Sequence, residues 1–381
     1  MNFPQESSNC VANFPHLFSP LQLGQLELEN RIVVAPMTRV SATEKGIATQ
    51  QMADYYAEFT RGGFGLVETE GTYVDEAYSQ GYANQPGIAN ETQANAWRRV
   101  VRAVHAQGSP IFIQLMHAGA LVQANRFCNE ALAPSAVQPR GEQLPVYGGS
   151  GKYFMPRQIA RAEIRQVIAS FTAAAARAVE AGFDGIEVHA ANGYLLDQFL
   201  TDYTNHRTDE YGGSIQNRIR FAVEVLQAVR DVVGPNYPVG IRISQNKVND
   251  YEYQWSRGES DAAIIFGSLA AAGATFIHIA GYDACASAFS TGPALAALAK
   301  QYGRVPVIAN GQLEDPQKAE SLLKAKVADL ISLVKGALAN PNWPRKTARR
   351  EALEAFDFRM LQPRATLSNA EKWRKRQQHS T

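Results

Sequence analysis

Residues 188–197 read Val-His-Ala-Ala-Asn-Gly-Tyr-Leu-Leu-Asp, which sets His189, Asn192 and Tyr194 close together. An imidazole and a carboxamide can both donate to one developing oxyanion, and a phenol beside them can deliver a proton. Each residue also has a plainer use: a histidine can satisfy a buried carbonyl, an asparagine can close a turn, and a tyrosine can pack as core. Complementary groups stand at the ends of other apolar runs: Thr38, Gln114 and Arg242. An alcohol, a carboxamide and a guanidinium suit a planar heterocycle with carbonyl and imide edges, and an arginine would stabilise negative charge appearing on it. The plain alternatives are a turn cap for Thr38, a bond to a neighbouring strand for Gln114 and a structural ion pair for Arg242. A cation closing an apolar strand needs an anionic partner. Two further runs end in Asn310-Gly311-Gln312 and Val334-Lys335-Gly336, loops of a kind that can hold phosphate, although Asn-Gly is also an ordinary turn.

These groups are spread over most of the chain, so the elements between them must gather them. Apolar, β-branched runs at 31–36, 64–69, 110–115, 184–189, 238–243, 275–280, 304–309 and 328–333 read as parallel strands covered on both faces. Helical patterns fall between them at 50–60, 91–107, 161–181, 216–233, 260–272, 293–301 and 315–325. Strands alternating with helices predict an α/β chain, a (β/α)8 TIM barrel, with an open doubly wound sheet as the rival. Chemistry then belongs at the C-terminal ends of the strands. Residues 21–28 alternate around Gly24 like a hairpin that could plug the N-terminal mouth. About 45 residues, 116–160, rich in Gly, Pro and Gln, leave the third strand and suggest a lid or binding loop. The expected organisation is an N-terminal extension at 1–16, one barrel domain at 17–350 and a polar tail at 351–381.

Composition narrows the class. Of 381 residues, 45% are apolar and 19% charged, with a net charge of +1. That is core enough for a globule and lacks the basic footprint of a nucleic-acid or anionic-membrane binder, despite a locally basic stretch from Lys372 to Arg376. Three separated cysteines, Cys10, Cys128 and Cys285, argue against a disulfide framework, a zinc ribbon or a cysteine-bound cluster, so no metal is expected. The polar start and the lack of any apolar run near 20 residues point to a cytoplasmic enzyme. No GxGxxG, Walker, HExxH or GxSxG motif is present, which disfavours Rossmann, P-loop, zincin and lipase-like chemistry.

The chain resembles the Old Yellow Enzyme family of FMN-dependent ene-reductases and NAD(P)H:flavin oxidoreductases. The resemblance runs from about Leu17 to Pro344. It is carried by residues 30–39 (NRIVVAPMTR), 181–189 (AGFDGIEVH) running into Asn192-Gly193-Tyr194-Leu195, residues 205–214 (NHRTDEYGGS) and Leu338-Ala339-Asn340-Pro341. It implies FMN held non-covalently across the barrel mouth. Ala35, Pro36, Met37 and Thr38 would line the flavin, Gly71 would approach it by its backbone, and Gln114 would bond its pyrimidine side. Arg242 would face N1 and O2, and Gly311, Gln312, Val334 and Lys335 would take the phosphate. His189 and Asn192 would hold the carbonyl oxygen of an activated alkene, Tyr194 would donate the proton, and Tyr82 and Met116 would wall the pocket. The implied activity is ping-pong reduction of α,β-unsaturated carbonyl or nitro compounds by NADH or NADPH. Monomer and homodimer stay open.

Three positions depart from the family pattern: Val334-Lys335 replaces Gly-Arg, Ala120 stands where arginine is common, and Gln312 replaces glycine. Two other readings are a redox-neutral flavin isomerase on this scaffold and a non-flavin barrel lyase or isomerase.

Overall fold

Apolar runs of three to nine residues cannot satisfy their backbone groups alone, and burial on both faces leaves parallel neighbours as their partners. In the computed structural model, which describes residues 13–378, eight such strands close on one another. They are β1 (Ile32–Val34), β2 (Leu66–Glu68), β3 (Ile111–Met116), β4 (Gly185–Asn192), β5 (Val239–Lys247), β6 (Phe276–Ala280), β7 (Val307–Asn310) and β8 (Leu330–Leu333). Each pairs in parallel with the next, and β8 returns to β1. The expected barrel is therefore formed. Residues 1–12 and 379–381, with Cys10 and most of the expected N-terminal extension, lie outside the described residues.

Helices α1 (Gln50–Arg61), α2 (Glu91–His105), α3 (Arg161–Ala181), α4 (Arg220–Val233), α5 (Glu259–Ala271), α6 (Leu295–Gly303) and α7 (Pro316–Lys324) cover the outside. Local chemistry sets their ends. Asn90 caps α2 by accepting from the Gln93 N–H at 2.9 Å, and Glu163 of α3 reaches back to the Ala160 N–H at 2.7 Å. The helical pattern read at 216–233 is split, a short turn at Ile215–Arg218 preceding α4.

Residues 21–28 form the expected antiparallel hairpin, Leu21–Leu23 against Leu26–Leu28. Its Leu23 and Leu28 pack against Val33, Leu66, Phe112, Phe276, Ile308 and Leu330, one apolar layer that closes the barrel's lower end. Room for it comes from Gly185 and Gly240, where a side chain would overlap the rings of Phe112 and Phe276.

The C-terminal segment differs from a polar tail. After a 3-10 turn at Phe358–Leu361, helix α8 (Leu367–Gln378) packs Ala370 and Trp373 against Leu338 and Met360. Arg374 pairs with Glu58 of α1 at 3.0 Å, and the Leu367 N–H donates to Ser41 just past β1. The sparse apolar residues among charges give no helical stripe on their own, and a docking surface elsewhere in the chain decides their fate. Among the described residues no helix is long and apolar enough to cross a membrane.

Candidate active site

Side chains alternate along a strand, so residues in register on neighbouring strands share a face. Arg242 on β5 is in register with His189 on β4 and with His278 on β6. Glu187 on β4 is likewise in register with Gln114 on β3. The barrel interior is thus layered: the apolar floor, then a buried polar layer of Glu68, Gln114, Glu187, His278 and Ser332, then His189, Arg242 and Asn310 at the mouth.

The turn after β4 is built to present three groups. Asn192 takes a positive φ of 62°, which its short polar side chain tolerates, and its N–H donates to the Ser244 hydroxyl at 2.8 Å. The Gly193 N–H donates to Asp197 Oδ2 at 2.7 Å, and Asp197 Oδ1 accepts from Lys247 Nζ at 2.6 Å. Tyr194 follows, its hydroxyl 2.5 Å from the Tyr82 hydroxyl and its ring centroid 5.0 Å from that of His189. Burial, reinforced by nearby Tyr147, pushes the Tyr194 phenol above the usual range, so it keeps its proton at neutral pH. Burial and then the Arg242 charge hold His189 down to about 3, so its ring is neutral. His189 Nδ1 has no hydrogen-bond partner among the described residues.

Tyr82 and Met116 join Val40, Leu121, Tyr153 and Tyr194 in one buried cluster, with Tyr147 packed against it. Tyr147 and Tyr153 belong to the long loop after β3, and the Tyr147 ring lies 4.9 Å from that of Tyr82. The sequence reading singled out the loop and missed these two residues. Tyrosines in an otherwise Gly- and Pro-rich lid were the available signal.

Beside this pocket lie the residues expected at a cofactor. Ala35 is buried, while Pro36, Met37 and Thr38 are half-buried at the end of β1. Gly71 is buried, and a side chain there would overlap the Met116 sulfur. Gln114 donates through Nε2 to Glu187 at 2.7 Å, which leaves its Oε1 as an acceptor. Arg242 is 4% exposed, yet donates only one long bond, to Asn310 at 3.3 Å, and its Nε and Nη1 have no partner. Among the described residues Glu187 and Glu68 face the Arg242 charge, but no carboxylate lies within ion-pair distance to satisfy its N–H groups. Register between Asn310 and Ser332 sets the ends of β7 and β8 side by side, which brings Gly311 and Gln312 next to Val334 and Lys335. Gly311 has φ 131°, and Lys335 is exposed at the start of a short helix, Lys335–Ala339. Gln312 sits at φ 49°, a conformation glycine adopts without strain, so this replacement costs more than a change of side chain alone.

Glu68, Glu187, His278 and Ser332 carried no assigned role in the sequence reading. Their signal was an ionisable residue inside an apolar run, such as Leu66-Val67-Glu68 or Phe276-Ile277-His278. His278 bonds Glu187 through Nδ1 and Ser332 through Nε2, both at 2.7 Å.

The arrangement defines a TIM barrel whose mouth offers a buried, half-satisfied guanidinium, a free amide oxygen and two adjoining loop ends to a flat, negatively charged group. A flavin mononucleotide fits that donor set: Arg242 and Gln114 for the ring and the β7–β8 loop ends for the phosphate. A profile described as the NADH:flavin oxidoreductase / NADH oxidase family matches residues 16–354. The chain belongs to this family, and the resemblance to Old Yellow Enzyme stands. It is similar to the NADH oxidase of Thermoanaerobacter brockii, 34% identical over 88% of this chain and 51% of that protein. It is also similar to 12-oxophytodienoate reductase 7 of Oryza sativa subsp. japonica, 44% identical over 60% of this chain and 58% of that protein. It therefore spans between half and three fifths of these two relatives. Among solved structures, the old yellow enzyme homologue from Zymomonas mobilis superposes with a TM-score of 0.81 at 33% identity, covering 89% of this chain and 94% of that one. Morphinone reductase in complex with tetrahydroNAD gives 0.80 at 33%, over 90% and 93%.

Proposed function

We propose that the chain is an NAD(P)H-dependent ene-reductase that reduces the C=C bond of α,β-unsaturated carbonyl or nitro compounds in two half-reactions at one site, in the cytoplasm. The bound FMN would accept a hydride equivalent from NAD(P)H and pass it to the alkene. The protein supplies orientation, an oxyanion site and a proton. Ala35, Pro36, Met37, Thr38 and Gly71 would line the ring, Gln114 and Arg242 would bond its pyrimidine side, and Gly311, Gln312, Val334 and Lys335 would hold the phosphate. His189 and Asn192 would grip the substrate oxygen, between walls formed by Tyr82 and Met116. Tyr194 would protonate the carbon next to the polarised group.

The observation that carries this reading is the pairing of a neutral His189, one ring nitrogen unpartnered, with a protonated Tyr194 at 5.0 Å between ring centroids. A neutral imidazole donates a hydrogen bond without adding charge, and a phenol held protonated is the right acid for a carbanion-like centre.

Tyr194→Phe tests it. Reduction of the flavin by NADPH should be nearly unchanged, whereas oxidation by cyclohexenone should slow by about 10²–10⁴-fold. A quinone, which needs no carbon protonation, should be affected far less. Equal rate ratios for cyclohexenone and quinone would remove Tyr194 from the proton step.

A further inference from the structure

The polar layer under the cofactor position contains more charge than the reaction described above uses. Glu68, Glu187 and His278 are all 0–1% exposed, and one ligand atom from each lies within 4.8 Å of the others. The two carboxylates are not equivalent. Glu187 is bonded at both oxygens, by Gln114 Nε2 and by His278 Nδ1, each at 2.7 Å. Glu68 Oε2 lies 3.1 Å from the same His278 Nδ1, but that single hydrogen points to Glu187, and both Glu68 oxygens are left without a hydrogen-bond partner. The other nitrogen of His278 is engaged by Ser332. An ionised carboxylate wholly out of water with no donor is poorly stabilised, so a proton is readily held there.

The charges facing Glu68 can be named strand by strand. β4 brings Glu187 and the neutral His189, β5 brings Arg242 and β6 brings His278. The inward residues of β1, β3, β7 and β8 are Val33, Gln114, Asn310 and Ser332, all uncharged. Burial and the Arg242 charge work against a proton on His278, but Glu187 and Glu68 outweigh them and hold the ring above its ordinary range. With Glu68 ionised, two anions face two cations; with Glu68 protonated, the layer carries one net positive charge. That one charge is the amount, in the opposite sign, that a flavin ring over Arg242 would gain on taking up two electrons and one proton.

We propose that Glu68 is the charge-compensating residue of the flavin half-reaction, taking one proton from solvent as the ring over Arg242 is reduced and returning it on reoxidation. The inference rests on the reading under Proposed function. The step balances without a further reactant. NAD(P)H would supply two electrons and one proton as a hydride equivalent to the bound FMN, and the proton on Glu68 would come from water and carry no electrons. New negative charge beside Arg242 offsets part of the attraction that Arg242 offers Glu68, which raises the carboxyl's proton affinity. Burial, then the Glu187 charge, already brings Glu68 up to about 7, so the exchange falls in a physiological window.

The test uses holoenzyme, wild type and Glu68→Gln, photoreduced with a sacrificial amine donor such as EDTA, identical for both proteins, under anaerobic conditions at pH 6–9. The midpoint potential is read spectroscopically, and proton uptake is followed with an indicator dye in weak buffer. Above pH 7 the wild type should take up close to one proton more per FMN than Glu68→Gln, and its potential should fall more steeply with pH. Parallel potential–pH lines for the two proteins, with FMN fully bound in both, would overturn the proposal. Should Glu68→Gln fail to fold, Glu68→Leu removes the carboxyl without leaving a polar group, and a wild type showing no extra proton anywhere in the range overturns it by itself. Failure to bind FMN, or to be reduced by NAD(P)H, would instead sink the reading on which it rests.

Discussion

Two of the charged clusters buried in this barrel differ in completeness. At the turn after β4, Asp197 and Lys247 are 0% and 2% exposed and meet at 2.6 Å. The second carboxylate oxygen receives the Gly193 N–H, and Lys247 lies 4.6 Å from the Tyr253 ring centroid. Inside the barrel, Arg242, His189 and Glu68 keep buried polar atoms that no described residue satisfies. A closed network holds backbone in place, whereas an open one implies a missing partner. The first cluster holds the turn that carries Asn192 and Tyr194; the second faces the position proposed for the cofactor and the substrate oxygen.

The contrast can be broken most directly at Asp197. Asp197→Ala strands a buried lysine and should cost about 3–5 kcal/mol in urea unfolding. Asp197→Leu combined with Lys247→Met should recover most of it. A loss under 1 kcal/mol for Asp197→Ala would show the pair to be dispensable for folding.

His189 lies on the open side and Asn192 is presented by the turn the closed cluster holds, without belonging to either network, so His189→Ala and Asn192→Ala should act on chemistry more than on stability. Each should remove about 3 kcal/mol of transition-state stabilisation in enone turnover, with melting temperatures disturbed less than by Asp197→Ala. Stopped-flow traces with the enone half-reaction unchanged in both variants would contradict this placement.

Stability against pH sharpens the comparison further, because two open-cluster groups tilt it in opposite directions. His189 has its pKa lowered from 6.5 to about 3, so the folded state resists its proton and stability is lost as pH falls from 6.5 towards 3. Glu68 is raised from 4.5 to about 7, so its contribution is present below 4.5 and lost as pH rises through 7. His189→Gln should flatten the acid limb of the unfolding free energy, and Glu68→Gln the limb between pH 4.5 and 7. Limbs that superpose on wild type in both variants would refute these shifts.

The smallest effect is expected at Gln312, where φ is 49°. Gln312→Gly should relieve left-handed backbone strain and stabilise the fold by up to about 1 kcal/mol, offset in part by glycine's own entropy. A destabilised variant would mean that the Gln312 side chain holds the loop.

Much of this was legible beforehand because it is local. Eight apolar runs, the Leu21–Leu28 hairpin and the ends of α2 and α3 follow from periodicity and capping over a few residues. His189, Asn192 and Tyr194 were visible as a cluster because they share one strand end, and Thr38, Gln114 and Arg242 because each closes an apolar run. The docking of α8 was not legible: Ala370 and Trp373 find Leu338 and Met360 only once the chain has closed.

What the sequence by itself determined was the barrel, the end of it that carries chemistry and the residue types gathered there. Only the tertiary structure decided which of those groups are partnered. Glu68, Glu187 and His278 come from β2, β4 and β6, and no local pattern relates them. Strand register and barrel closure place one histidine hydrogen between two carboxylates and leave Arg242 Nε and Nη1 without a hydrogen-bond partner among the described residues. Periodicity reports which face a residue occupies, but hydrogen-bond satisfaction depends on distances between strands far apart in the chain, and these exist only after folding.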